Sequence, residues 1–124
     1  MMIKKLISKM VNLNLLAKGA LLFLLGQCLV FWQVNGQFIW ELAKKYPLVM
    51  SLFGIPISFV YIYATDYLVQ AFDGNLWPQR LIGFAMGIIA FTFLTYFHLG
   101  EVLTLKTGIT LILALAIVLI QVFY

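Results

Sequence analysis

Four long apolar stretches, separated by narrow seams of charge, dominate this chain of 124 residues. They cover residues 15–34, 48–72, 81–99 and 103–124. Each is close to or beyond the roughly 18 apolar residues that a helix needs to cross a bilayer. Hydrophobic side chains make up 65% of the chain and charged ones 10%, too little polar surface to clothe a soluble globule. The expected fold is all-α, an integral membrane bundle of four transmembrane helices. Those spans use nearly the whole chain and leave no room for a soluble catalytic or nucleic-acid-binding module.

Residues 1–14 read as a basic amphipathic segment, and residues 15–124 as a single transmembrane domain. Ile3, Leu6, Ile7, Met10 and Val11 fall at helical spacing, with Lys4, Lys5 and Lys9 on the other side. That pattern suits a short interfacial helix lying on an anionic leaflet. The net charge of +4 is therefore read as a membrane-surface contact, with no nucleic-acid partner. The apolar run that follows is longer than a signal-peptide core, and Gln33, Asn35 and Gln37 offer no small-residue cleavage site, so it is expected to stay as the first span. The lysines favour a cytoplasmic N-terminus in a multi-pass protein of the inner cell membrane. Without them the charge bias between the two sides nearly vanishes, because Lys44, Lys45 and Lys106 face Lys18 and Arg80 across the bilayer.

Several local signals shape the spans. Gly19, Ala20 and Gly26 give the first one small positions, and Gly83 and Gly87, four apart, permit close approach of another helix to the third. Gly54-Ile55-Pro56 predicts a kink in the second. The carbonyl freed there must face protein or a cavity, with Ser51 and Ser58 as candidate partners. Asp73-Gly74-Asn75 is a turn signal, and Trp77-Pro78 opens the next helix. Trp32 and Trp40 are natural interface anchors.

The last hairpin carries a likeness. The run Phe97-His98-Leu99-Gly100-Glu101-Val102-Leu103-Thr104-Leu105-Lys106, followed by an apolar helix containing Gly108, resembles a junction found in small four-helix members of the drug/metabolite transporter superfamily. The stretch Leu25-Gly26-Gln27-Cys28-Leu29 is similar to first helices of that superfamily. The resemblance implies a small transporter, working as a homodimer, that moves a small polar, cationic or lipid-linked substrate. Its multidrug exporters carry a glutamate midway along the first helix to exchange protons for cationic drugs. Here that region holds Leu24, Leu25, Gly26 and Gln27, and a glutamine cannot titrate. Members handling lipid-linked sugars or other polar headgroups fit better.

Ionisable and polar groups inside a membrane are costly, so each is a functional candidate. Asp66, ringed by Tyr61, Tyr63 and Tyr67, is either a proton- or cation-binding acid or a helix end at headgroup level. Glu101 is either part of a polar gate or a solvated hinge carboxylate. Gln27 must find a hydrogen bond across helices, in packing or along a pore. Trp32, Tyr63 and Tyr67 belong to an interface belt or to an aromatic cage for quaternary amines. These six, Gln27, Trp32, Tyr63, Asp66, Tyr67 and Glu101, form the expected substrate-binding set. Cys28 reads as a small packing residue, and no ligand cluster points to a metal or cofactor. No triad, phosphate loop or carboxylate pair points to an enzyme. The competing expectation is an accessory subunit of a larger membrane complex, which the aliphatic last helix and basic N-terminus suit equally well.

Overall fold

The computed structural model of the chain describes residues 2–123, with the side chains of residue 5 and residues 7–11 outside that description. The expected facing of Lys5, Ile7, Lys9, Met10 and Val11 therefore lies outside the described residues, as does Tyr124. The fold is all-α. In order the chain forms α1 (Met2–Asn35), a 3₁₀ turn (Gly36–Phe38), α2 (Glu41–Lys45), α3 (Pro47–Leu52), α4 (Gly54–Ala71), α5 (Trp77–Leu99) and α6 (Leu105–Phe123). Among the described residues, four segments are long and apolar enough to cross a membrane: Asn12–Phe38, Pro47–Ala71, Trp77–Leu99 and Leu105–Phe123. This is a multi-pass membrane protein built as a four-helix bundle.

The basic N-terminal segment is helical, but α1 runs unbroken for 34 residues, so no change of element marks residue 14. Neither glycine nor proline interrupts this region, and each added turn satisfies another pair of backbone groups that lipid would leave unpaired. The third span starts at Trp77, four residues before the apolar run proper, because Pro78 suits the first helical turn.

The second span breaks where its proline demands. Pro56 lacks an N–H for the carbonyl of Leu52 and its ring crowds that group. Helix α3 accordingly ends at Leu52, and α4 begins at Gly54. The two expected serines do not serve the break: Ser51 Oγ donates to the Pro47 carbonyl at 2.9 Å and Ser58 Oγ to that of Gly54 at 2.7 Å. Each hydroxyl reaches back one turn on its own helix, the nearest acceptor available to it. From α1, Gln33 Nε2 donates to the Met50 carbonyl at 3.1 Å, two residues before the freed Leu52 carbonyl and shared with the Phe53 N–H. A cavity of about 300 Å³ lies against the break, between Trp32, Gln33, Phe53 and Pro56. The kink faces protein and cavity.

Helix α1 is the hub. It packs along α4 and α5, whereas α6 packs chiefly on α5. A Cβ on Gly19 would lie 2.5 Å from Leu68 Cγ, so α1 and α4 meet backbone to side chain. Against α5 the contacts climb in register. Phe23 covers Gly83, Gln27 covers Gly87, and Phe31 meets Phe91 edge-on with ring centroids 5.5 Å apart. The core gathers Phe23, Ala64, Leu68 and Ile82 where these three helices meet. On α6 only Ala114 is buried, which leaves an aliphatic face turned outward.

Both remaining turns rest on left-handed residues. Asp73 (φ 57°) and Gly74 (φ 89°) close α4, with the Gly74 N–H on the Val69 carbonyl at 2.8 Å. Gly100 (φ 68°) ends α5, its N–H on the Tyr96 carbonyl at 3.0 Å. Thr104 then caps α6 by accepting the Thr107 N–H at 3.2 Å.

Replacing Gly19 with valine should drive a branched side chain into Leu68 and destabilise the bundle by about 1–3 kcal/mol. Gly108→Ala, at a position with nothing within 4 Å, should cause no loss. Thermal unfolding of both variants in mild detergent separates these outcomes.

Candidate functional site

Gln27 lies near the middle of the first membrane span, Asn12–Phe38, and defines the candidate site. Its Nε2 donates to the Gly83 carbonyl at 3.3 Å, and its amide lies flat over Gly87, where a Cβ would stand 2.9 Å from Oε1. The two glycines on α5 therefore do more than admit a helix. One exposes a backbone acceptor and the other makes room for the amide. A glutamine offers two N–H donors and two lone pairs, so this one bond leaves hydrogen-bonding capacity free.

Cavities flank the glutamine. One, of about 480 Å³, lies among α1, α5 and α6 and is lined by Gln27, Thr92, Lys106, Thr107 and Thr110 beside aromatic and aliphatic groups. The other, of about 450 Å³, lies among α1, α4 and α5 and is lined by Gln27, Tyr61, Thr65, Gln79 and Arg80. Both volumes fall in the range of small-molecule sites. Each holds one cation and no carboxylate. Arg80 stands near the start of α5 and Lys106 near the start of α6, helices that run in opposite directions, so the two cations mark opposite ends of the bundle.

The other expected residues lie apart from Gln27. Asp66 is exposed near the end of α4 and accepts from Gln70 Nε2, one turn further on, at 3.0 Å. Tyr63 is 57% exposed on the outer face of the same helix. Tyr67 packs toward α1, with Lys18 Nζ 5.8 Å from its ring centroid. Glu101 sits in the α5–α6 turn beside a small cavity lined by Thr92, Thr95 and Thr107. Thr95, 6% exposed, buries a hydroxyl oxygen that has no partner.

Trp32 belongs to a second cluster. Its Nε1 donates to His98 Nε2 at 2.9 Å, which requires that imidazole nitrogen to be unprotonated. Phe31, Trp40 and Phe97 surround the same ring at centroid distances of 6.3, 6.1 and 5.2 Å. The tryptophans thus converge on a histidine, while the tyrosines spread along α4. The aromatic residues do not assemble one cage.

Sequence reasoning missed Thr65, Gln79, Thr92 and Thr95. The available signal was a pair of threonines three apart on each arm of the last hairpin, Thr92 and Thr95 against Thr107 and Thr110. An antiparallel hairpin brings such pairs face to face. Comparisons with protein-family models, curated proteins and solved structures returned no match to this chain. Its site is read from its own geometry.

The Trp32–His98 contact should show a coupling of about 1 kcal/mol in a double-mutant cycle built on Trp32→Phe and His98→Phe. Unfolding midpoints of the four proteins measure it.

Proposed function

We propose that this protein is a small membrane transporter of the drug/metabolite transporter type, working as a homodimer on a polar or lipid-linked substrate. One observation carries the reading. An uncharged amide at mid-span is shared by two cavities whose cations lie toward opposite ends of the bundle. A polar group passing through lipid needs replacement hydrogen bonds at the membrane centre, where unsatisfied groups cost most. Gln27 has that capacity to spare. The lining also selects among substrates: with Arg80 and Lys106 but no carboxylate around Gln27, it favours neutral or anionic headgroups over cations.

The cavity beside α6 is open-sided, and four short helices do not enclose a polar path alone. A second copy laid against that side would close it, which is the reason for the dimer. The lysines of the N-terminal segment orient that end toward the cytoplasm, and the inner cell membrane is the proposed location. The outward aliphatic face of α6 also favours a second reading, docking as an accessory subunit against a larger membrane complex. Purification in mild detergent separates the two: a self-associated species supports transport, and stoichiometric foreign subunits support docking.

Gln27→Leu should abolish substrate flux in reconstituted vesicles by at least about tenfold while the protein still folds, since leucine fills the space but cannot exchange hydrogen bonds. Gln27→Asn should retain part of the flux. Unchanged flux in Gln27→Leu would remove the basis of this reading.

A further inference from the structure

The small cavity at the α5–α6 turn is chemically unlike the two beside Gln27. Its volume is about 80 Å³, and its polar lining is Thr92, Thr95, Thr107 and the carboxylate of Glu101. Lys106 lines the adjoining cavity and not this one. Every polar side chain here presents oxygen, and the only formal charge is negative. The hydroxyls are also placed to act as acceptors. Thr92 Oγ1 gives its proton to the Ile88 carbonyl at 2.8 Å, which leaves its lone pairs free. Thr107 Oγ1 lies 3.1 Å from Thr104 Oγ1, close enough to hand its proton to that hydroxyl and keep its own lone pairs free. Thr95 Oγ1 is buried without any partner, an arrangement that is costly unless something fills the space.

We propose that this cavity binds a monovalent metal cation, sodium, held by the threonine oxygens and Glu101. The donor chemistry argues for a hard cation, since oxygen ligands alone are offered. Calcium takes six to eight oxygen ligands, and magnesium keeps several of its waters, more than the few oxygens and small volume here supply. The volume admits an ion with about two water molecules, too little for a lipid headgroup. Its position at the C-terminal end of α5 adds the partial negative charge of the last carbonyls. A sodium ion there would tie the α5–α6 turn to the body of α5 and so tie occupancy to the position of α6. This goes beyond the transport reading; if that reading holds, the ion is the natural coupling ion.

The test measures equilibrium binding of radioactive sodium to the purified full-length protein in detergent, with choline chloride holding ionic strength constant. Wild type should bind saturably. Thr95→Val and Glu101→Gln should each weaken binding at least about tenfold, while Thr95→Ser and Thr110→Val, the latter in the adjoining cavity, should bind as wild type does. Absence of saturable binding overturns the proposal, as does unchanged binding in Glu101→Gln, an exposed position at which folding is not at stake. If Thr95→Val fails to fold, Thr95→Ser decides in its place: a folded serine variant without binding overturns the site, because the hydroxyl is retained. No substrate is present in this assay. Transport without sodium binding therefore defeats this proposal alone, and sodium binding without transport in vesicles defeats only the transport reading.

Discussion

Close approach of α1 to two neighbours is the contact on which the bundle depends. Lipid tails are as apolar as leucine, so burying leucine between helices gains little in a membrane. What holds the helices is shape fit and the few hydrogen bonds that cross between them. Gly19 lets α1 seat on Leu68, and Gly83 and Gly87 let Phe23 and Gln27 sink into α5. The polar bond from Gln27 to the Gly83 carbonyl is possible because Gly87, one turn on, has no Cβ to hold the amide away. Packing and polarity at the centre are thus one feature: the groove that admits the helix also supplies the acceptor.

Much of this architecture can be read from the residues, and the unread part has definite causes. Hydropathy locates four spans because a bilayer imposes one length on every crossing helix. The turn at Asp73-Gly74 and the break ahead of Pro56 follow from local backbone chemistry that needs no tertiary context. The bond from Gln33 to the nearby Met50 carbonyl does, since it comes from another helix and no local pattern points there. The continuity of α1 through residue 14 escapes a reading based on amphipathicity, because an interfacial helix and the first turns of a tilted span share the same residue types.

The candidate site was only partly legible for a related reason. The cost of burying charge draws attention to Asp66 and Glu101, yet each is exposed at an end of the bundle, where that cost is small. Gln27 stands out in sequence as the mid-span amide, but its two glycine contacts emerge only once α1 and α5 are set in parallel. Thr65, Thr92 and Thr95 escape notice. A hydroxyl on a membrane helix normally bonds back to the carbonyl one turn earlier and so hides its polarity, as Thr92 and Thr110 do. Thr95 departs from that habit, and only packing exposes the departure.

Polarity along the bundle is graded in a way that bears on the proposed transport role. Cations lie toward both ends in Arg80 and Lys106, hydroxyls come next in Thr65, Thr92 and Thr107, and a neutral amide stands at the middle. A fixed charge at mid-span would hold an opposite charge tightly and release it slowly, whereas an amide can trade one hydrogen bond for another at nearly equal energy. Gln27 already makes its one crossing bond at 3.3 Å, toward the long end of the usual range. Giving that bond up to a passing hydroxyl or phosphate oxygen would therefore cost little. Such a centre suits passage better than storage, and it does so without any group that must change protonation.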